Sequence, residues 1–258
     1  MATKKKRPLI LVTNDDDITA PGLKVLIECV KSFGDLLIIA PDRPQSGMGH
    51  AITVNSPLRM YPSDHHKGHS AFATSGTPVD CVKLGIYEIL KKSPDLIVSG
   101  INHGSNVSTN VLYSGTMSAA VEGALEGIPS IGFSLCDFSY DADFTGAKTI
   151  VKQVVKQVLA NKMPEGICFN VNIPAIPAKK LKGIKVCRMA KAFWDDKFDK
   201  RNDPLGKPYY WLTGKFQNFD SGEDTDMWAL QNNYASLVPI QFDMTAHHAI
   251  ASLNNWKF

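Results

Sequence analysis

The chain has 258 residues, of which 44% are hydrophobic, enough for one large core with or without a smaller appended unit. Its formal net charge is only +3, and much of that excess sits in Lys4, Lys5, Lys6 and Arg7, so neither a nucleic-acid nor a membrane surface is implied. No run approaches the roughly 18 apolar residues of a membrane span. The basic leader reads as a frayed, solvated terminus rather than a targeting signal, and a cytoplasmic protein is expected. The five cysteines, Cys29, Cys81, Cys136, Cys168 and Cys187, are scattered singly. They suggest neither a disulfide framework nor a thiolate zinc site.

In chain order, Leu9 to Val12 is a predicted strand, followed by a helix over Pro21 to Phe33 and a strand over Leu36 to Ala40. Ile52 to Val54 and Leu58 to Tyr61 have the look of short strands, and Asp64 to Gly68 is a loop. Thr77 followed by Pro78 marks a helix start, and Val79, Val82, Ile86 and Ile89 give that helix an apolar face as far as Lys92. Leu96 to Val98 is a buried-type strand, Thr116 to Glu126 a helix rich in small residues, and Ile131 to Phe133 a strand. Ile150, Val154 and Val158 mark a helix from Gly146 to Asn161, and Cys168 to Val171 closes the series. Beyond it the pattern loosens into Gly, Pro and aromatic residues. Strands alternating with helices predict a doubly wound, Rossmann-like, mostly parallel α/β core over residues 1–171. Residues 172–258 are expected to form a β-rich arm or subdomain.

Polar groups fall just beyond three strands: Asn14, Asp15, Asp16 and Asp17 after the first, Arg43, Gln45 and Ser46 after the second, Asn102, His103 and Asn106 after Leu96 to Val98. In an open parallel sheet those carboxyl ends share one edge, where ligands bind. Carboxylates, a hydroxyl and an amide carbonyl form an oxygen donor set suited to a hard divalent cation such as Mg²⁺ or Mn²⁺. One acidic loop by itself is equally a turn and helix-cap cluster. Tyr113, Ser114, Gly115 and Thr116 enter a helix whose free N–H groups suit a phosphate, although an ordinary N-cap by Ser114 or Thr116 explains the same residues. At Gly115 a side chain is expected to obstruct phosphate and spare the cation. Gly47, Met48, Gly49 is no dinucleotide fingerprint, because Ile52 stands where a third glycine belongs. His65, His66 and His69 read as solvated, and Asp243 with His247 as an i,i+4 structural pair.

Taken together these residues resemble the survival protein E (SurE) family. The shared motifs are NDD after the first strand, APG at Ala20 to Gly22, APDRxxSG at Ala40 to Gly47, GTPxDCV at Gly76 to Val82, SGINxGxN at Ser99 to Asn106 and YSGT at Tyr113 to Thr116. Weaker matches follow at Asp203 to Gly206, at Thr225 and Asp226, and at Asp243 to His247. The resemblance implies a metal-dependent phosphomonoesterase of the 5′-nucleotidase type, with one Mg²⁺ or Mn²⁺ per subunit on Asp15, Asp16, Ser46 and Asn102. Asp15 and Asp16 would be catalytic, and Asn14, Asn106, Ser114, Gly115 and Thr116 would contact the phosphate. It further implies homodimers or homotetramers built with exchanged C-terminal segments and a protruding β-hairpin. Two alternatives stay open: a phosphatase acting mainly on short polyphosphate, and a nucleotide-sensing protein that holds ligand without turnover. Asp17 stands where the family has glycine. The residue is expected to adopt positive φ, to point away from the cation and to be replaceable by glycine.

Overall fold

The computed structural model describes residues 7–257. Nine strands form one sheet in the order β3-β4-β2-β1-β5-β6-β7-β11-β8. Its centre is parallel: β4 (Ser70–Thr74), β2 (Asp35–Pro41), β1 (Leu9–Thr13), β5 (Leu96–His103), β6 (Ser130–Leu135) and β7 (Ile167–Ile173). The expected Rossmann-like core is thus present. Strand order reverses between β1 and β5, and the crevice above their carboxyl ends is the place for a ligand.

Alternation along β1 and β2 builds the two layers. Ile10, Val12 and Ile38 face a core shared with α1 (Pro21–Val30) and α4 (Thr145–Ala160). Leu11, Leu37 and Ile39 face the opposite core under α2 (Pro78–Leu84) and α3 (Gly115–Leu125). In α1, Pro21 presets the first turn, and Leu23, Leu26, Ile27 and Val30 repeat at helical spacing on the buried side. In α2 the Thr77 hydroxyl accepts from Asp80 N while the Asp80 carboxylate accepts from Thr77 N, a reciprocal cap. Helical structure continues past α2 as a wider π turn over Gly85–Leu90.

Several expectations are corrected. Ile52 to Val54 is not a strand: Thr53 spends its N–H and hydroxyl on the Asp80 carboxylate, at 3.2 and 2.6 Å, and lies along the start of α2. The following short strand is β3 (Met60–Pro62), antiparallel to β4, which the sequence reading had left out. The helix predicted to reach Phe33 ends at Val30. His66 is buried rather than solvated, with Nε2 2.8 Å from Ile18 O, and burial lowers its pKa. Lys4, Lys5 and Lys6 lie outside the described residues, whereas Arg7 is tied down by Lys31 O, Gly34 O and the Asp35 carboxylate.

The division expected at residue 171 falls inside β7. Segment 172–258 adds β8 (Ile184–Val186) and β11 (Ala235–Gln241) to the sheet, β11 running antiparallel to β7. Its other two strands, β9 (Ala192–Asn202) and β10 (Pro208–Asn218), pair only with each other in a separate antiparallel ribbon. Asp203 forms the ribbon's turn, its carboxylate accepting from Leu205 N and Lys207 N. A bare two-stranded ribbon is marginal in water, and this one is anchored at its base. Asp226, at the start of α5 (Asp226–Gln231), is fully buried and accepts from Ser108 N, Ala190 N and Met227 N. The Asp243–His247 pair forms as expected, at 2.8 Å, before α6 (His247–Leu253).

Candidate metal and phosphate site

Asp15, Ser46, Asn106 and Ser114, from loops, and Asn102, from the end of β5, line one cleft of about 410 Å³. The cleft sits above the carboxyl ends of β1 and β5. The loop bearing Ser46 is pinned there by Gln45 N donating to Asp15 O at 2.7 Å and by Gly49 N donating to Tyr113 O at 3.2 Å. His50, at the end of that loop, reaches Glu122 on α3 at 2.8 Å. Asp16 stands beside the cleft, its carboxylate accepting from His103 N at 3.4 Å. Asn14 lies beneath and donates through Nδ2 to Asp17 O.

Gly115 and Thr116 are not in the cleft wall; they lie behind Asp15. The Thr116 hydroxyl donates to the Asp15 carboxylate, so the start of α3 addresses that carboxylate first. A β-carbon on Gly115 would sit 2.7 Å from Asp15 Cβ and 2.9 Å from Asp15 Oδ2. A side chain here would therefore meet Asp15 before any ligand, so the glycine makes room for Asp15. Ser114 caps α3, its Oγ accepting from Met117 N at 3.0 Å, which leaves the hydroxyl proton for a ligand.

Asn106 is held by a buried amide network that the sequence reading missed. Asn172 Oδ1 accepts from Asn106 N, Asn170 Nδ2 donates to Asn106 O, and Asn106 Nδ2 donates to Ser134 Oγ. Asn170 and Asn172 are fully buried in β7. The alternation Asn170, Val171, Asn172 places both amides on one face of the strand and was the available signal. His103, for which the resemblance implies no role, also lines the cleft. Its Nδ1 sits 2.8 Å from Ser139 O, and because a carbonyl only accepts, that nitrogen carries the proton. Asn110, Tyr113, Phe138 and Trp194 complete the wall.

The donor set fits a hard cation. Asp15 is buried, and that burial together with the Asp16 charge pushes its carboxyl up to about 6; Asp16 is also raised, chiefly by burial. No Lys or Arg lines the cleft to offset them. Buried polar atoms without a partner among the described residues include Thr13 Oγ1 and Asn14 Oδ1 at the end of β1, and Ser99 Oγ and His103 Nε2 on β5. Asn102 spends Nδ2 on Gly104 O, which leaves its carbonyl oxygen for a ligand. Among the described residues no three His, Cys, Asp or Glu side chains gather around one point, so a cation here would rest on two carboxylates completed by a hydroxyl, an amide and water, an all-oxygen set.

A pH dependence follows. Asp15 has a folded-state pKa above its ordinary 3.8, so its contribution to stability is full below about pH 4 and lost as pH rises through about 6. A divalent cation should restore that loss. Urea midpoints of chelated and Mn²⁺-loaded protein should therefore differ more at pH 7.5 than at pH 5, and an equal gain at both would contradict the assignment.

Asp17 does adopt positive φ, +133°, and its carboxylate accepts from Thr19 N and Thr19 Oγ1, both at 2.6 Å, instead of lining the cleft. Asp17→Gly relieves the strained backbone but forfeits these bonds and frees the unfolded chain, so stability should change by no more than about 1 kcal/mol. Mn²⁺ affinity should stay within a few-fold of the parent; a tenfold loss with the fold intact would place Asp17 in the site.

An open, mostly parallel α/β sheet with a carboxylate-centred polar cleft at its switch point defines a Rossmann-like ligand-binding protein. The family model described as Survival protein SurE matches residues 10–196, and the chain belongs to that family. It is 59% identical over 255 residues to the 5′-nucleotidase SurE of Flavobacterium johnsoniae, covering 98% of each chain. It is 56% identical over 254 residues to the protein of the same name from Cytophaga hutchinsonii, again with 98% of each covered. The crystal structure of SurE protein from Aquifex aeolicus superimposes with a TM-score of 0.84 at 40% identity, covering 96% of this chain and 98% of that one.

Proposed function

We infer that the chain is a 5′-nucleotidase that hydrolyses nucleoside monophosphates to nucleoside and phosphate, using one divalent cation held by Asp15, Asp16, Ser46 and Asn102. The observation that carries this reading is the buried Asp15 carboxylate, with Asp16 beside it, in a cleft with no Lys or Arg in its wall, within a chain that matches proteins named 5′-nucleotidase over their full length. Mg²⁺ and Mn²⁺ are the cations that such oxygen donors favour. A cation bound there would offset the charge of the phosphate dianion as a nucleophile approaches.

The protein groups supply the rest. The Ser114 hydroxyl and the second N–H of Asn106 Nδ2 bind phosphate oxygens, with Asn14 and the first turn of α3 behind them. Thr116 and the helix start hold Asp15 in place. The oxygen of a water forms the new bond to phosphorus as the P–O5′ bond breaks in line. The Asp15–Asp16 pair takes one proton from the attacking water, and a proton returned from the pair to the departing 5′ oxygen leaves both carboxylates as they began. The absence of Lys and Arg from the cleft wall disfavours a polyphosphate chain, whose successive charges need several cations.

The assembly we propose is a homodimer or homotetramer, with residues 1–171 carrying the metal and phosphate ligands and 172–258 the contacts between copies. Exposed Phe198, Tyr210, Trp211 and Leu212 on the ribbon, and an α6 with no buried residue, support it. A cytoplasmic location is supported by free cysteines at all five positions and by the absence, among the described residues, of a helix long and apolar enough to cross a membrane.

Steady-state rates on a panel of nucleoside 5′- and 3′-monophosphates and on tripolyphosphate test the reading. Multiple turnovers on 5′-monophosphates, with kcat/KM at least tenfold above tripolyphosphate, are expected. A preference for tripolyphosphate, or phosphate release limited to a single turnover, would overturn it.

A further inference from the structure

The face that β7 turns toward α3 changes character along its length. Cys168 clusters with Met117 and Ala120 of α3, whereas Asn170 and Asn172, next on the same face, are wholly buried amides. On the opposite face Val171 and Ile173 belong to the other core. A buried amide without partners is costlier than an apolar side chain in its place, and these two find their partners on one residue. Asn172 Oδ1 accepts from Asn106 N at 2.7 Å, Asn172 Nδ2 donates to Asn170 Oδ1 at 3.0 Å, and Asn170 Nδ2 donates to Asn106 O at 2.7 Å. The three bonds close a ring through the backbone of Asn106. Because a backbone N–H only donates and a carbonyl only accepts, neither amide can flip without breaking that ring.

Asn106 lies outside every helix and strand, so the two side chains give it the pairing that a neighbouring strand would give. The residues around it are held in the same way. Gly104 N donates to Leu135 O at 2.9 Å, and Ser108 N donates to the buried Asp226 carboxylate at 2.7 Å. Every second amide from Gly104 to Ser108 thus ends on a partner distant in the chain. Ser134, beside Asn172 in the sheet, accepts one proton of Asn106 Nδ2 at 2.9 Å. The second proton is available to a ligand in the cleft that Asn106 lines.

We propose that Asn170 and Asn172 are positioning residues for the phosphate: they hold the Asn106 amide at the cleft before substrate arrives, so that binding does not have to order the loop. The proposal rests on the reading above in which Asn106 binds a phosphate oxygen. The competing role is packing of β7 alone.

The test measures orthophosphate affinity of the full-length, Mn²⁺-loaded protein by calorimetric titration, together with KM for AMP. Asn170→Ala and Asn172→Ala, made singly, should each weaken orthophosphate by at least about tenfold and raise KM in step, with Mn²⁺ affinity within about threefold of the parent. Val171→Ala, which opens a cavity on the other face of the same strand, should lower stability and leave both phosphate affinity and KM unchanged. In an Asn106→Ala background, Asn172→Ala should weaken orthophosphate by less than about a further twofold, because a residue acting through Asn106 then has nothing to position. Hydrogen exchange needs no variant: residues 104–108 should be protected in the metal-loaded protein before phosphate is added. Parent-like binding by Asn170→Ala and Asn172→Ala, an equal loss in Val171→Ala, a full additional loss on top of Asn106→Ala, or protection that appears only with phosphate would overturn the positioning role and leave the nucleotidase reading standing. Parent-like orthophosphate affinity in Asn106→Ala would overturn the phosphate contact and the proposal with it. No hydrolysis of AMP by the native protein would overturn the nucleotidase reading and the proposal together.

Discussion

Asp15→Asn should abolish phosphate release and leave the metal-free protein more stable than its parent. The carboxylate is buried, and its pKa stands at about 6 against an ordinary 3.8, so at pH 7.5 the folded chain carries a charge that it holds less favourably than the unfolded chain does. Removing that charge is worth up to about 3 kcal/mol by linkage. An asparagine oxygen still accepts from Thr116 Oγ1, so the local packing survives. Activity should fall by at least about 10³-fold, equivalent to ~4 kcal/mol of transition-state stabilisation, because the amide neither binds a hard cation as strongly nor takes a proton. Urea midpoints of chelated protein and steady-state rates check the two halves. A variant that keeps its rate, or one that unfolds, would contradict the role given to Asp15.

Gly115→Ala should remove cation binding together with activity. In the first turn of a helix this substitution would ordinarily be neutral or gain up to about 1 kcal/mol. Here the new methyl meets the Asp15 side chain at 2.7 and 2.9 Å, and Asp15 has little room to yield. Its carbonyl is pinned by Gln45 N and its carboxylate by Thr116 Oγ1. Crowding of this kind costs about 1–3 kcal/mol, and the carboxylate is displaced from the cleft. Calorimetric titration with Mn²⁺ should find affinity at least tenfold weaker than in the parent, with circular dichroism unchanged. A variant that binds Mn²⁺ like the parent would show that Gly115 does not support Asp15.

These two residues mark how far the sequence could be read. Asp15, Ser46 and Asn102 were legible as one group because polar residues just past parallel strands meet at one edge, whatever separates them in the chain. Asp17 was legible because a family glycine position carries a conformational demand that its replacement must also meet. The role of Gly115 was not, since a missing side chain says nothing about which neighbour occupies the space. Asn170 fell inside the strand expected over Cys168 to Val171 and Asn172 just past its end, so their shared face, which binds Asn106, was split by the boundary. Ile52 to Val54 has strand composition, yet its hydrogen bonding is decided by Asp80, 27 residues beyond Thr53. The ribbon arms escaped assignment because exposure on both faces erases the alternation that marks a half-buried strand. Asp226 carried only a weak motif match, and its buried hydrogen bonds tie the ribbon base to the turn that holds Tyr113.

The central claim is that Asp15, Asp16, Ser46 and Asn102 hold the cation on which hydrolysis depends. The most direct measurement is phosphate release from AMP by protein chelated until elemental analysis finds no metal, then titrated with Mn²⁺ or Mg²⁺. The account predicts no turnover before the cation is added and saturable recovery as one equivalent per subunit binds. Full activity in the verified metal-free protein would contradict it.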